Sequence, residues 1–349
     1  MKLLYAVGSN SGSVRNGLRV IEIDDETGRF REVSRVADSA FPIYFDRSAD
    51  GRFLYAAELH DGKGCVSVFQ VSGVELTRLQ VVPCAETVPC HLSLSPDGRF
   101  LVWAEYRNAW TGVCAVDAAT GLLSAPLDRH HHTGKGPNEV RQESAHCHFA
   151  KVEDGVVHVC DLGIDTVVAY RLADDGKMVP APELDLHVAP GSGPRHLAFH
   201  PNGKWAYLVN ELVSTVLPLR LEGPSLVPMS GQLSMLPPDF RDATKAAAIR
   251  ISPDGTQLLA SNRGHDSLAV FDIDPKDGSL SLRSIQRLGG SFPRDFIFLP
   301  NGKFLLVAHK MSHEFATYAY DAATGSLRLV QRSAKLTQPL AFCLLGCAH

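Results

Sequence analysis

Short apolar segments alternate with turn signals along the whole chain, and this pattern repeats. A turn that ends in glycine, such as Pro96-Asp97-Gly98, occurs six times, with its glycines at positions 51, 98, 155, 203, 255 and 302. Each turn is flanked by apolar segments such as HLSLS (91–95) and RFLVWAE (99–105), whose patterns are typical of half-buried or buried strands. The steps of 47, 57, 48, 52 and 47 residues between these glycines fit the four-stranded blade of a β-propeller.

A second glycine turn follows the third apolar segment of each repeat. These turns are Thr27-Gly28, Ser72-Gly73, Thr120-Gly121, Asp175-Gly176, Glu222-Gly223, Asp277-Gly278 and Thr324-Gly325. The segment after each of them is more polar, as expected for an outer strand that faces solvent. Each repeat therefore predicts four antiparallel strands.

The two ends of the chain carry complementary fragments of this repeat. The N-terminus begins with a second strand, LLYAVGS (3–9), and the C-terminus ends with a lone first strand, QPLAFCLLG (338–346). Joined together they complete a seventh blade, which closes the ring and removes exposed sheet edges. Two β-sandwiches in tandem would not produce such matching fragments. The sequence predicts an all-β, seven-bladed propeller that forms a single domain over residues 1–349.

Composition narrows the possible partners. The net charge is −4 and no run of Lys or Arg occurs, which argues against a nucleic-acid or anionic-membrane surface. No apolar stretch approaches the roughly 18–20 residues of a membrane span, and the N-terminus lacks the apolar core of a secretory signal. A cytoplasmic location is the expectation. The eight cysteines lack paired C-x-x-C spacing and are predicted to be small buried hydrophobic residues. No feature indicates an oligomeric state.

Strand direction predicts where a site lies. The start of each first strand lies beside the end of the antiparallel second strand, so both open on one face of the ring, here called the mouth. Polar residues collect at these positions, although burying them without partners is costly. The sequence therefore predicts a polar pocket there. The predicted contributors include His148, Arg195, His196, Glu211, Arg263, Arg294 and Lys310.

Two long departures from the period are predicted to form loops around the mouth. They span residues 128–146 and 230–245, and rim loops of this kind shape access to a pocket. Arg141, in the first loop, is a candidate anion contact. The run His130-His131-His132 in the same loop is predicted to be exposed to solvent and not to bind a metal.

Six motifs are prominent in the sequence: Arg141-Gln142 with His146-x-His148, DLGIDTVVAYRL (161–172), GSGPRHLAFHPNG (191–203), NEL (210–212), SPDGTQLLASNRGHDSLAVFDID (252–274) and PRDFIFLPNG (293–302). Together they resemble a known family, the seven-bladed propeller lactonases, which include propeller-type 6-phosphogluconolactonases and carboxy-cis,cis-muconate lactonizing enzymes. The resemblance spans nearly the whole chain and is strongest in the third to sixth full repeats. It implies a cofactor-free hydrolase whose partner is a small anionic lactone.

This resemblance implies a functional cluster of His148, Glu211, Arg195 and Arg263. Lactone hydrolysis needs a base that activates water, a donor for the oxyanion and an anchor for the substrate anion. His148 and Glu211 both qualify as the base, and the sequence does not choose between them. Guanidinium groups suit the other two tasks. Arg294, Lys310, Arg141 and His196 are further candidates for contact with the anion.

Other functions stay open at this point. The same groups suit cyclisation of a muconate, and a propeller can also serve as a non-catalytic binding scaffold. His146, His148 and His196 with Glu211 are an alternative metal-ligand set, although no metal is expected. The H-E-x-x-H, G-x-S-x-G and G-x-x-x-x-G-K-[ST] motifs are absent, which argues against zinc-protease, serine-hydrolase and P-loop chemistry.

Overall fold

Seven antiparallel sheets form a seven-bladed propeller in the structure, a computed structural model that describes residues 1–10, 17–229 and 231–347. The predicted fold class is confirmed. Ser230, the first residue of the second predicted rim loop, lies outside the described residues. Within the described ranges, no helix has the length and apolar character that a membrane span requires.

Blades 1 to 6 are the full repeats in chain order, and blade 7 combines the two ends of the chain. From blade 1 to blade 7, the inner strands are Ala40–Arg47, His91–Leu94, Cys147–Glu153, Pro194–Phe199, Lys245–Ile251, Pro293–Phe298 and Pro339–Cys347. The second strands are Phe53–His60, Phe100–Glu105, Val156–Asp161, Trp205–Asn210, Gln257–Arg263, Phe304–His309 and Lys2–Ser9. The third strands are Lys63–Ser72, Trp110–Ala115, Thr166–Leu172, Thr215–Glu222, Ser267–Ile273, Glu314–Asp321 and Leu18–Asp24.

The outer strands are more exposed than the others, as predicted. In blades 3 and 4 the outer strand is split into two pieces, and blade 3 also carries the 3-10 turns Leu162–Ile164 and Pro182–Leu184. In the same blade order, the outer strands are Glu75–Ala85, Asp128–His131, Met178–Pro180 with Leu186–His187, Ser225–Pro228 with Leu233–Ser234, Leu280–Arg287, Ser326–Arg332 and Phe30–Val36.

Blade 7 closes the ring as the sequence predicted. Lys2–Ser9 pairs antiparallel with Pro339–Cys347, and the partners include Tyr5 with Leu344 and Val7 with Phe342. Because these strands come from opposite ends of the chain, the ring is held shut by main-chain hydrogen bonds and leaves no open inner edge at the junction.

Glycine is required at the turns for conformational reasons. Gly98 has φ 72° and Gly278 has φ 77°, and this left-handed conformation costs little for glycine only. At Gly278 a Cβ atom would also lie 2.3 Å from the Trp205 ring. The glycines of both predicted turn series that define the blades have positive φ.

The apolar core lies between neighbouring blades and leaves the axis of the ring to other residues. One cluster joins Tyr55 and Val68 of blade 1 to Leu101 and Trp103 of blade 2. Similar clusters fill the other interfaces, as expected for sheets that pack face to face. The starts of the inner strands are therefore free to carry functional groups.

The prediction for residues 128–146 is wrong in two respects. Asp128–His131 is the outer strand of blade 2, so the loop begins at His132. Pro126 cannot donate a ladder hydrogen bond, and regular pairing of the outer strand resumes only after it. His132 is buried and not exposed, because its ring bonds to Asp161 and Tyr170.

Six of the eight cysteines are buried as predicted, whereas Cys343 is half-buried and Cys347 is exposed. All eight are free thiols.

Candidate active site

A β-bulge at the start of the inner strand places one side chain of each of three blades at the mouth. In blade 3, Cys147 pairs with Asp161 and Phe149 with Cys160, so His148 has no partner in the ladder. Arg195 is bypassed in the same way in blade 4 and Arg294 in blade 6. Bulges re-aim side chains and are common beside active sites. The bulge therefore gives His148, Arg195 and Arg294 equivalent positions at the mouth in their three blades.

The corresponding positions of the blades on the other side of the ring are apolar. Ile43 of blade 1, Cys90 of blade 2 and Leu340 of blade 7 form one buried cluster. The mouth is thus polar on one side and apolar on the other. The apolar side lowers the effective dielectric constant of the site, and this strengthens the charge interactions on the polar side.

The ends of the second strands contribute a second ring of side chains. Asn210 and His309 bond within their own blades, to Thr215 and Tyr318. The residues that follow them instead feel the charges of the mouth arginines, which attract Glu211 and repel Lys310. Successive side chains of a strand alternate in direction, which explains why the site groups are next to structural ones.

Three arginines surround the carboxylate of Glu211. Arg141 Nη2 donates to Oε1 at 2.6 Å, and Arg195 Nε donates to Oε2 at 3.0 Å. Arg263 Nη2 lies 2.7 Å from Oε2. The Glu211 side chain is almost fully buried. The structure therefore brings together four of the predicted site residues, including Arg141 from the rim loop.

The surplus of positive charge sets the ionisation of Glu211. Burial alone would raise the pKa of its carboxyl, but the charges of Arg263 and Arg195 outweigh this effect and hold the pKa well below its usual range. A carboxylate of this kind is a weak base, because three guanidinium groups stabilise its ionised form.

His148 lies in the same cluster and is buried. Burial, followed by the charge of Arg195, holds the pKa of its imidazole well below the usual value of 6.5. Its Nδ1 atom lies 3.9 Å from the Sγ of Cys90, on the apolar side of the mouth. His148 is therefore a neutral imidazole at neutral pH.

Several cationic groups of the mouth keep free hydrogen-bond donors. Within the described ranges, neither Arg294 nor Lys310 makes a hydrogen bond or an ion pair through its side chain, and the Nη2 of Arg195 and the Nη1 of Arg263 also have no partner. Burial and then the charge of Arg263 lower the pKa of Arg294, and burial and then Arg294 lower that of Lys310. Burial and then Arg263 lower the pKa of Arg195 to about 9. Burial is the largest cause of each shift, and the second is crowding of like charges, which an anion would relieve.

Two of the predicted histidines differ in environment from His148. The ring of His196 lies 5.3 Å from the His148 ring and 5.2 Å from the His91 ring, centroid to centroid, and both its nitrogens are buried with no hydrogen-bond partner among the residues that the structure describes. Both ring nitrogens of His146 have other partners, since Nδ1 lies 3.0 Å from the carbonyl oxygen of Tyr106 and Nε2 lies 3.3 Å from a carboxylate oxygen of Glu143. The predicted alternative of a metal set that includes His146 therefore has no support in this geometry.

The comparisons with known proteins identify the family. The family model described as "Lactonase, 7-bladed beta-propeller" matches residues 5–344. The chain belongs to this family of β-propeller lactonases. A 6-phosphogluconolactonase of Bacillus subtilis (strain 168) is 33% identical to this lactonase over 349 residues, with 97% of each chain covered. A 6-phosphogluconolactonase of Formosa agariphila is 30% identical, with 89% of this chain and 90% of the relative covered.

A solved structure supports the same relationship. The periplasmic gluconolactonase of Pseudomonas aeruginosa superposes with a TM-score of 0.92 at 28% identity, over 99% of this lactonase and 100% of that chain. The resemblance inferred from the sequence motifs is confirmed.

Sequence reasoning missed Tyr106 as part of the candidate site. Its ring stacks on His146 with 4.4 Å between centroids and makes an edge contact with His148 at 5.4 Å. Its hydroxyl oxygen accepts a hydrogen bond from Arg141 at 3.2 Å. Tyr106 follows Glu105 at the end of a second strand, as Glu211 follows Asn210. This equivalence was the signal that could have found it.

A buried group next to the site holds the rim loop of the lactonase in place. The imidazole of His132 lies between the carboxylate of Asp161, at 2.7 Å, and the hydroxyl of Tyr170, at 2.8 Å. The other oxygen of Asp161 accepts hydrogen bonds from the main-chain N–H groups of His146 and Gly163. The side chains of His132, Cys147 and Asp161 lie close enough together to form a group of potential metal ligands. Both nitrogens of His132 already have partners, so the contacts favour a structural role.

Proposed function

We propose that this lactonase hydrolyses the ring ester of a phosphorylated sugar lactone, with 6-phosphogluconolactone as the first substrate to test. The proposal rests above all on the cluster of uncompensated cations at the mouth, where Arg195, Arg263, Arg294 and Lys310 face a single carboxylate, Glu211. Two 6-phosphogluconolactonases at 30% and 33% identity support this choice of substrate.

Arg294 and Lys310 are the proposed anchor for the phosphate. Both keep all their donors free, and the charge of Arg294 contributes to lowering the pKa of Lys310. Guanidinium and ammonium groups bind phosphate oxygens through charge-assisted hydrogen bonds. An anchored phosphate would hold the lactone ring against the apolar side of the mouth.

His148 is the proposed general base. It is neutral at neutral pH and is therefore ready to take a proton from water, whereas the carboxylate of Glu211 is already engaged with Arg141, Arg195 and Arg263. The sequence leaves open which of these two residues is the base, and these contacts favour His148. Glu211 keeps the arginines in position and balances part of their charge.

The arginines beside Glu211 are the proposed stabilisers of the tetrahedral intermediate. Water attacks the lactone carbonyl as His148 removes its proton, and the carbonyl oxygen becomes an oxyanion. The free Nη2 of Arg195 and Nη1 of Arg263 can donate to this oxygen, and such preorganised donors are worth most in a site that excludes water. The imidazolium of His148 then returns the proton to the ring oxygen as the ester bond breaks.

We expect the rate to persist at mildly acidic pH. The active form of His148 is the neutral imidazole, and its folded-state pKa lies below 6.5. The rate should therefore stay level as the pH falls through 6.5 and decline only at lower pH. Values of kcat measured between pH 5 and 8 with gluconolactone, which has no titrating phosphate, test this. A decline with its midpoint at or above pH 6.5 would contradict the assignment.

Phosphate recognition is tested by separate Arg294→Met and Lys310→Met variants. Each should raise KM for 6-phosphogluconolactone by roughly 10- to 100-fold, because hydrogen bonds to charged groups contribute about 1.5–3 kcal/mol. KM for gluconolactone should change little. Lys276→Met, at an exposed lysine far from the mouth, is the control. Equal effects on both lactones would reject the phosphate anchor, and no turnover of either lactone by the unmodified protein would reject the proposed function.

A further inference from the structure

A second cavity is lined by the inner strands of five blades. It has a volume of about 410 Å³, and its lining residues follow the mouth positions of the inner strands in blades 1 to 5, together with Pro201 and Pro253 from the turns after two of these strands. The mouth is formed by the starts of inner strands. The two spaces therefore open on opposite faces of the propeller, and none of the proposed catalytic residues lines this second cavity.

A layer of rings separates the two spaces. The ring of His91 lies 4.2 Å from that of Tyr44, 4.3 Å from that of Phe149 and 5.2 Å from that of His196, between centroids. Tyr44, His91 and Phe149 also line the second cavity, so they give it an aromatic wall. A ligand at this end is held apart from His148 by the His196 ring.

Lys151 is the free cation of this cavity. Its ammonium lies 5.4 Å above the centre of the Phe199 ring, and it makes no ion pair or hydrogen bond with any described residue. The other cation, Arg250, is held by Asp295 at 2.9 Å and by the carbonyl of Ile249 at 2.9 Å. Lys151, whose charge also acts on the Asp46 carboxyl of the same cavity, thus keeps its donors free to pair with an acidic group of a ligand.

The remaining polar groups suit hydroxyl groups. The carboxylate of Asp46 accepts main-chain hydrogen bonds from Leu94 and Arg47, both at 2.8 Å, which fix its orientation. Ser93 donates to the carbonyl of Ala150 at 3.0 Å and keeps its lone pairs free to accept. Fixed acceptors beside an aromatic wall are the combination that a polyhydroxylated molecule needs, because its hydroxyl groups donate while its C–H surface packs on the rings.

We propose that this cavity, here called the far cavity, binds a small polyhydroxylated acid, with Lys151 pairing with its acidic group. Its volume is within the usual range of small-molecule sites, and a few convergent polar groups in an otherwise apolar lining are typical of them. The inference does not rest on the proposed function, because it concerns other residues on the opposite face.

Calorimetric titration with gluconate tests the far cavity in a protein whose mouth is disabled by Arg263→Ala. This protein should still bind gluconate at one site per chain. Adding Lys151→Met should weaken that binding about tenfold or more, because it removes a charge-assisted hydrogen bond. Adding Lys204→Met, at an exposed lysine on the same face, should leave it unchanged. Glucitol, which has the hydroxyl groups but no acid, should bind more weakly than gluconate.

Two results would overturn the inference: no gluconate binding by the Arg263→Ala protein, or binding that Lys151→Met leaves unchanged. Thermal melting of each variant shows whether the protein is folded. The Lys151→Met single variant should keep the lactonase rate of the unmodified protein. Absence of turnover in the unmodified protein would reject the proposed function, while the gluconate titration would still decide whether the far cavity binds its ligand.

Discussion

Replacing His148 with glutamine is expected to lower kcat for 6-phosphogluconolactone by about 10²- to 10⁴-fold, the usual contribution of a general base. Glutamine keeps much of the side-chain volume and polarity but cannot take a proton from water. KM should change little, because Arg294 and Lys310 still hold the phosphate. Steady-state kinetics at pH 7.5, corrected for spontaneous hydrolysis of the lactone, measures the effect.

His158→Gln is the matched control for this experiment. His158 is a buried histidine on the second strand of the same blade, and burial lowers its pKa to about 4, but it lies outside the mouth. Its replacement tests the cost of losing a buried imidazole and should leave kcat nearly unchanged. If both variants lost activity equally, or if His148→Gln kept more than a tenth of the rate, the role of His148 would be wrong.

Replacing Glu211 with glutamine is expected to lower the free energy of unfolding by about 3–5 kcal/mol, the usual cost of removing one partner from a buried ion pair. Arg141, Arg195 and Arg263 would then face each other without a counter-charge. The folded-state pKa of Glu211 is depressed, so its ionisation stabilises the fold at neutral pH, and this stabilisation disappears only as the pH falls through that low pKa. Denaturant unfolding at pH 7 measures the loss.

Glu58→Gln provides the comparison. Glu58 is also buried and bonds to Arg78 and Ser39, but burial raises its pKa, so its charged form is not favoured by the fold. Its replacement should cost clearly less than that of Glu211. A smaller loss for Glu211→Gln than for Glu58→Gln would show that the arginines do not depend on Glu211. Added phosphate should partly restore the stability of Glu211→Gln, because an anion can replace the missing charge.

The fold was predictable because its signals are local. A glycine such as Gly98 is needed for its own backbone conformation, and the spacing of such turns is visible without any tertiary contact. Closure by blade 7 was also predictable, since the fragments at 3–9 and 338–346 are complementary parts of one repeat. The outer strand of blade 2 was misplaced because Pro126 delays pairing, and a period does not show where pairing resumes.

The site was predictable in position but not in detail. Counting from the turns placed Arg195, Glu211 and Arg263 at one face, and the structure joins them. The contact of Arg141 with Glu211 spans 70 positions and depends on the path of a rim loop. The partners of His132, Asp161 and Tyr170, likewise come from blade 3 and not from blade 2, whose outer strand ends just before it. Such contacts follow from tertiary structure and leave no local pattern.

The position bypassed by the bulge in blades 3, 4 and 6 offers a way to diversify the protein. Because His148, Arg195 and Arg294 stand outside the ladder, other side chains can occupy such positions without altering strand register. Ile43 of blade 1 and Cys90 of blade 2 occupy the corresponding positions, where these blades contribute only apolar side chains to the mouth. Descendants of this scaffold can thus acquire new substrates by exchanging single side chains around an unchanged ring.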